Sequence, residues 1–140
     1  MPVETSLILF KPDAMEKKLT GILLARFEAA GFRIRGIKML QLTPEILAEH
    51  YAHIADQPFF PSTVKFMSRT PVVALILEGE DAIARIRAML GPTDSSKAEK
   101  GTIRGDFGED IRHNVCHASD SVESAAAEVR RFFAAAEIFA

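Results

Sequence analysis

The chain has 140 residues, 48% hydrophobic and 26% charged, which excludes a disordered polymer and suits one globular domain spanning residues 1–140. A net charge of −2 argues against a dedicated nucleic-acid surface, and no apolar run reaches the roughly 18 residues of a membrane span. The lone Cys116 rules out a disulfide framework within the chain and, with no basic-then-apolar leader after Met1, a reducing, cytoplasmic location is expected.

Ser6-Leu7-Ile8-Leu9-Phe10 is an apolar run stopped by Lys11-Pro12-Asp13, which predicts a buried strand ending at the lysine. Leu19, Ile22, Leu23, Phe27 and Ala30 recur at helical spacing, with Thr20 as a candidate cap and Gly31 as the stop. Phe32 to Arg35 alternates as a strand. The alternation changes phase after Gly36, which predicts a bulge there. Thr43-Pro44-Glu45 opens a helix that carries Tyr51, with proline at its favoured first position. Pro58-Phe59-Phe60-Pro61 breaks the pattern, and a short helix through Val64 to Met67 follows.

Pro71 to Leu77 is the clearest strand, closed by Glu78-Gly79, and Asp81 to Leu90 is a helix ended by Gly91-Pro92. Residues 91–113 form a polar, glycine-containing loop long enough to suggest function. Val115-Cys116-His117 is a short strand. Ser121 caps a last helix that turns Val122, Ala125, Val129 and Phe132 or Phe133 inward. With insertions removed, the order is βαββαβ plus a trailing helix. That is a ferredoxin-like α+β arrangement, a four-stranded antiparallel sheet covered by helices on one face.

Several side chains have two readings. Arg87 lies in the Ile83, Ile86, Leu90 stripe, where it either snorkels or pairs at the edge, or serves as a phosphate clamp. Lys11 is either a solvated strand terminator or a point charge for an anion, and Arg104, between Gly101 and Gly105, has the same duality. His117 is either a satisfied, partly buried histidine or a nucleophile whose tautomer is fixed by neighbours such as Ser119 and Asp120. A zinc site from His113, Cys116 and His117 has poor ligand spacing, and Glu49, His50 and His53 read as a solvated helix face. Phe59 and Phe60 are core residues or, if exposed, a platform for a base.

Six stretches, taken in order, carry a resemblance over essentially the whole chain. They are Lys11-Pro12-Asp13; Tyr51 with Pro58-Phe59-Phe60; Pro71-Val72-Val73 with Leu77-Glu78-Gly79; Met89-Leu90-Gly91 with Thr93; Gly101 through Phe107; and Asn114 through Ser121 with Val122 to Ala125. In these the chain resembles nucleoside diphosphate kinases.

The resemblance implies ping-pong transfer of the γ-phosphate of ATP or another nucleoside triphosphate to a nucleoside diphosphate, through a phosphohistidine on Nδ1 of His117. It implies that Lys11, Arg87, Thr93 and Arg104 hold the phosphates, with Tyr51 bordering the transferred group. Asn114 and Lys11 would reach the sugar hydroxyls, while Ser119 and Glu128 orient the imidazole from its other side. Phe59 and Ile111 would sandwich the base, and Mg²⁺ would be bound through the nucleotide phosphates rather than by the protein. A homo-oligomer is implied, a tetramer rather than a hexamer, because the chain ends at Glu137-Ile138-Phe139-Ala140. The alternative is a catalytically idle nucleotide- or RNA-binding module on the same scaffold. Ala118 stands where the family usually has glycine, which requires negative φ at that position. Gln57 replaces a frequent arginine, and Ser95 and Lys100 replace frequent prolines.

Overall fold

A computed structural model describes residues 2–140. Its sheet has four antiparallel strands, β1 (Val3–Phe10), β2 (Arg33–Leu40), β3 (Val72–Glu80) and β4 (Cys116–Ala118), in the order β2-β3-β1-β4. Seven α-helices surround it: α1 (Pro12–Glu16), α2 (Thr20–Ala29), α3 (Pro44–His50), α4 (Phe60–Met67), α5 (Ala82–Leu90), α6 (Ile103–Phe107) and α7 (Val122–Phe132). The predicted βαββαβ core is present.

The helices lie on both faces of the sheet, not on one. Ile8, Phe10, Val73 and Leu75 pack against Leu23 and Phe27 of α2 and Ile86 and Leu90 of α5. Leu7, Leu9, Ala74 and Ile76 pack the other way, against Leu47 of α3, Phe66 and Met67 of α4 and Phe132 of α7. The cause is visible in β1 and β3. Both are apolar on either parity, and Leu7 through Phe10 are all 0% exposed, so both faces need cover. The α3–α4 insertion and the trailing α7 supply it.

Local signals mostly set the ends of elements. Gly31 adopts φ 93°, and the amides of Gly31 and Phe32 return to the carbonyls of Glu28 and Phe27, closing α2 in a left-handed cap. Thr20 does not cap α2; its hydroxyl faces Met15 Sδ, and Leu19 takes the capping position. Thr43 and Ser121 do cap, accepting from the amides of Ile46 and Ser124. The register of β2 against β3 shifts between Ile34 and Gly36, the expected bulge. A Cβ at Gly36 would lie 3.1 Å from both Phe133 and the Glu137 carbonyl, so the bulge also admits the C-terminal segment.

Two expected core positions face outward. Ile22 is 48% exposed because the buried stripe of α2 is the narrower Leu19, Leu23, Phe27 row, and Val122, in the first turn of α7, is 51% exposed. The loop at 91–113 is partly ordered by α6 and a 3₁₀ turn at Ser95–Lys97, and α1 follows directly on Lys11. Neither short helix was expected from the sequence.

Candidate active site

β1 and β4 run side by side with Leu9 opposite His117, so the end of β1 and the start of β4 open into the same cavity. The cavity has a volume of about 650 Å³, within the range of small-ligand sites. Lys11, Arg87, Arg104 and Arg112 line it together with His117, and no carboxylate does among the described residues. A polyanion fits such a wall.

His117 is oriented from behind. Its Nε2 lies 2.9 Å from Glu128 Oε1 on α7. A carboxylate only accepts, so Nε2 carries the proton and Nδ1 keeps its lone pair. Among the described residues no hydrogen bond reaches Nδ1. Ser119 does not touch the ring: its Oγ donates to Glu128 Oε1 at 2.8 Å and accepts from the Leu7 amide at 3.0 Å. The serine therefore holds the carboxylate that holds the imidazole. Burial pushes the Glu128 carboxyl up, but the hydrogen bonds from His117 and Ser119 outweigh it, leaving the group below its ordinary value. Asp120 is exposed and plays no part in this chain of contacts.

The cations are arranged by backbone. Lys11 is the first residue beyond β1 and is 8% exposed; its Nζ donates to the Arg112 carbonyl at 2.8 Å and to Asn114 Oδ1 at 2.7 Å. Burial lowers its pKa to about 8 against the opposing pull of Asp13. Arg104, on α6, is 5% exposed and spreads three donors over the carbonyls of Gly91, Asn114 and Cys116. Thr102 caps α6 by accepting from the Gly105 amide at 3.0 Å, and this fixes where Arg104 starts. A Cβ on Gly105 would overlap the Glu99 carbonyl oxygen, so only glycine fits the turn.

Arg87 takes the edge of its stripe. Ala82, Ile86 and Leu90 form the buried face of α5, while Arg87 is exposed at the cavity rim, donating to the Ala118 carbonyl at 3.2 Å. It is a long, flexible cation at the mouth, not a buried one. Between Lys11 and β4, Val115 adopts φ 62°, an unusual conformation for a β-branched residue, held by the Asp13 carboxylate on its amide and the Lys11 amide on its carbonyl. Ala118 is absent from the positive-φ residues, so its methyl carries no backbone strain.

The other expected site residues also meet here. Asn114 is 4% exposed; its Nδ2 donates to the carbonyls of Thr93 and Ile111, and Oδ1 retains a lone pair beside Lys11. Tyr51 lines the cavity, and burial followed by the Glu128 charge pushes its hydroxyl up to about 12, so it stays a neutral donor. Phe59 and Ile111, 49% and 65% exposed, put apolar surface on the cavity wall. Thr93 lines it too, exposed.

Sequence reasoning missed His50. It is not on a solvated face but is 8% exposed, with its ring 4.7 Å from that of His117. Its spacing of three from the buried Leu47 was the available signal. His53 lies beyond α3, exposed. One donor atom each of His50, His117 and Glu128 lie within 4.8 Å of one another, close enough for a metal set by distance alone. The chemistry opposes it: Arg131 Nη1 donates to His50 Nδ1 at 2.9 Å, so that ring has no second lone pair to give. The set of His113, Cys116 and His117 fails as well. Burial pushes the Cys116 thiol up to about 12, and His113 is turned to Asp110.

The chain matches the family model "Nucleoside diphosphate kinase" over residues 4–138. A nucleoside diphosphate kinase of Aquifex aeolicus is 50% identical over 141 residues, covering 99% of each chain. A crystal structure of an Aquifex aeolicus nucleoside diphosphate kinase superposes with a TM-score of 0.93 at 50% identity, covering 98% of this chain and 99% of that one. A halophilic nucleoside diphosphate kinase from Halobacterium salinarum in complex with CDP gives 0.95 at 36% identity, covering 99% and 93%. A cation-lined cavity with a histidine whose Nδ1 lone pair is free, matched at this identity over this length, places the chain in the nucleoside diphosphate kinase family of phosphotransferases.

Proposed function

We propose that His117 carries a phosphoryl group between nucleotides. Its Nδ1 attacks the terminal phosphorus of a nucleoside triphosphate; the N–P bond forms as the bond to the bridging oxygen breaks, and the electron pair leaves with the diphosphate. A second nucleoside diphosphate reverses the step with its own terminal oxygen. The observation that supports this most is the pairing of His117 Nε2 with Glu128 inside a wall of cations. As phosphorus bonds to Nδ1 the ring becomes cationic, and the carboxylate opposite is placed to stabilise it.

Lys11, Arg104, Arg87 and Thr93 bind the phosphates in this reading, the first two rigidly and Arg87 from the rim. Lys11 has one ammonium proton beyond the two spent on protein acceptors, enough for a phosphate or sugar oxygen. Asn114 Oδ1 accepts from a sugar hydroxyl, and Tyr51 donates beside the transferred group. Phe59 and Ile111 flank a base without base-edge contacts, so purines and pyrimidines are both accepted. Among the described residues no carboxylate lines the cavity, so Mg²⁺ enters as part of the nucleotide substrate, where it neutralises phosphate charge.

The proposal extends to a cytoplasmic homo-oligomer, a tetramer in preference to a hexamer. The open edge of β2, where Ile37 and Met39 are 50% and 63% exposed, supports association of copies and nothing finer; light scattering on the purified protein measures the assembly directly. The kinetic order tests the catalytic reading. Initial rates with GDP varied at several ATP concentrations should give parallel double-reciprocal lines. Intersecting lines would mean direct transfer within a ternary complex and would overturn the phosphohistidine.

A further inference from the structure

Behind the imidazole of His117 runs a second polar chain that the proposed chemistry does not use. It begins at the exposed Glu49, whose Oε1 is 3.5 Å from Arg131 Nε, an ion pair without a hydrogen bond. Arg131, with a side chain 15% exposed, turns its Nη1 onto His50 Nδ1 at 2.9 Å. His50 in turn stands edge-to-face against His117 at 4.7 Å, against Tyr51 at 4.9 Å and against Phe132 at 5.1 Å. The charged or titratable groups that face it are His53 beyond α3, His117 on β4, and Glu128 and Arg131 on α7. Burial lowers the pKa of His50 to about 3, so the ring is neutral.

A neutral imidazole has one proton and one lone pair. A guanidinium only donates, so Arg131 occupies the lone pair on Nδ1 and the proton must sit on Nε2. His50 therefore meets His117 and Glu128 with no acceptor. This matters because a nitrogen of His50 lies within 4.8 Å of both the His117 ring nitrogen and the Glu128 oxygen. Without Arg131, His50 is free to move its proton to Nδ1 and offer Nε2 as a rival acceptor for the proton that His117 gives Glu128. The ring of His117 would then rotate away from the carboxylate.

We propose that Arg131 is a positioning residue for phosphoryl transfer: by holding the lone pair of His50, it leaves Glu128 as the sole acceptor for the His117 Nε2 proton. The inference rests on the reading of His117 as the phosphoryl acceptor, but its structural half does not. Long-range ¹⁵N couplings of the imidazoles in the wild-type protein report the tautomers without turnover. His50 should appear with its proton on Nε2, and a proton on Nδ1 overturns the inference whatever the activity.

The kinetic half uses Arg131→Leu, His50→Leu and the pair together, with thermal melts to confirm folding. Arg131→Leu should slow phosphoenzyme formation about tenfold, the size found when a partner that fixes a ring tautomer is lost, with KM unchanged. In the His50→Leu background, where no rival acceptor exists, Arg131→Leu should have no further effect. Equal losses in both backgrounds, or a wild-type rate in Arg131→Leu, would overturn it. Failure of the wild type itself to accept a phosphoryl group would instead sink the catalytic reading.

Discussion

Replacing Glu128 with glutamine removes one charge and leaves the shape, which isolates what the carboxylate does. In the resting enzyme Oε1 accepts from His117 Nε2 at 2.9 Å and from Ser119 Oγ at 2.8 Å. The side chain is only 12% exposed, so solvent screens these contacts little. A hydrogen bond to a charged group contributes about 1.5–3 kcal/mol, against about 1 kcal/mol for a neutral pair. The difference appears in the rate because the imidazole is neutral before attack and cationic as the N–P bond forms. A loss of about 1–2 kcal/mol corresponds to a rate about 5 to 30 times slower. Rapid-quench measurement of the first phosphorylation reads it directly, and KM should hold, since Glu128 does not line the cavity. Ser119→Ala removes only the hydroxyl that steadies the carboxylate and should cost less. A Glu128→Gln enzyme that phosphorylates at the wild-type rate would refute the claim that the carboxylate stabilises the charged ring.

Lys11, lowered to about 8, predicts an alkaline limb in kcat/KM near that pH, because the free enzyme loses the cation there; the limb should vanish from the residual activity of Lys11→Arg. The sign for stability is opposite. Between the folded value and the unfolded one of about 10.4, the unfolded chain binds more protons, so the lysine's contribution to stability rises with pH while activity falls. Melting curves from pH 8 to 10 on wild type and Lys11→Arg separate the two. Gly105→Ala should lower the melting temperature by about 3–10 °C, from an overpacking cost of about 1–3 kcal/mol against the Glu99 carbonyl; an unchanged melt would show that the turn relaxes freely. Phe59→Ala should raise KM for purine and pyrimidine nucleotides alike by about 5- to 150-fold, a stacking contribution of about 1–3 kcal/mol. A loss confined to one base would mean that the site reads base edges.

Much of this was legible in the chain, and the limits have physical causes. The unbroken apolar run at Leu7 to Phe10 marked a strand buried on both faces, yet the one-sided sheet expected from element order ignored that signal. The phase change at Gly36 marked a real bulge because a one-residue slip in a period-two pattern turns every following side chain to the opposite face, and an extra residue in the strand absorbs that slip. Lys11, Arg104, Asn114 and His117 were recoverable because motif stretches fix them, and the fold then brings them to one cavity.

What local pattern could not supply was long-range partnership. Only the family resemblance put Glu128 of α7 beside the His117 imidazole, and it did not tell that Ser119 acts on the carboxylate rather than on the ring. His50 looked like part of a wet helix face since Glu49 and His53 flank it; burial by Phe132 and His117 comes from segments far along the chain. Arg87 had two readings because helical periodicity locates a stripe only to within one residue position, and its edge-or-clamp alternatives both put the guanidinium where the rim holds it.

The central claim is that His117 Nδ1 becomes covalently phosphorylated and passes the group on. Incubation with γ-labelled ATP and Mg²⁺, on wild type and His117→Ala, followed by a chase with unlabelled GDP, tests it most directly. Acid-labile, alkali-stable label on the wild type alone, discharged as labelled GTP, is the predicted result. Nucleotide bound without label on the wild type, or label retained by His117→Ala, would contradict it; the first would make the protein a nucleotide-binding module.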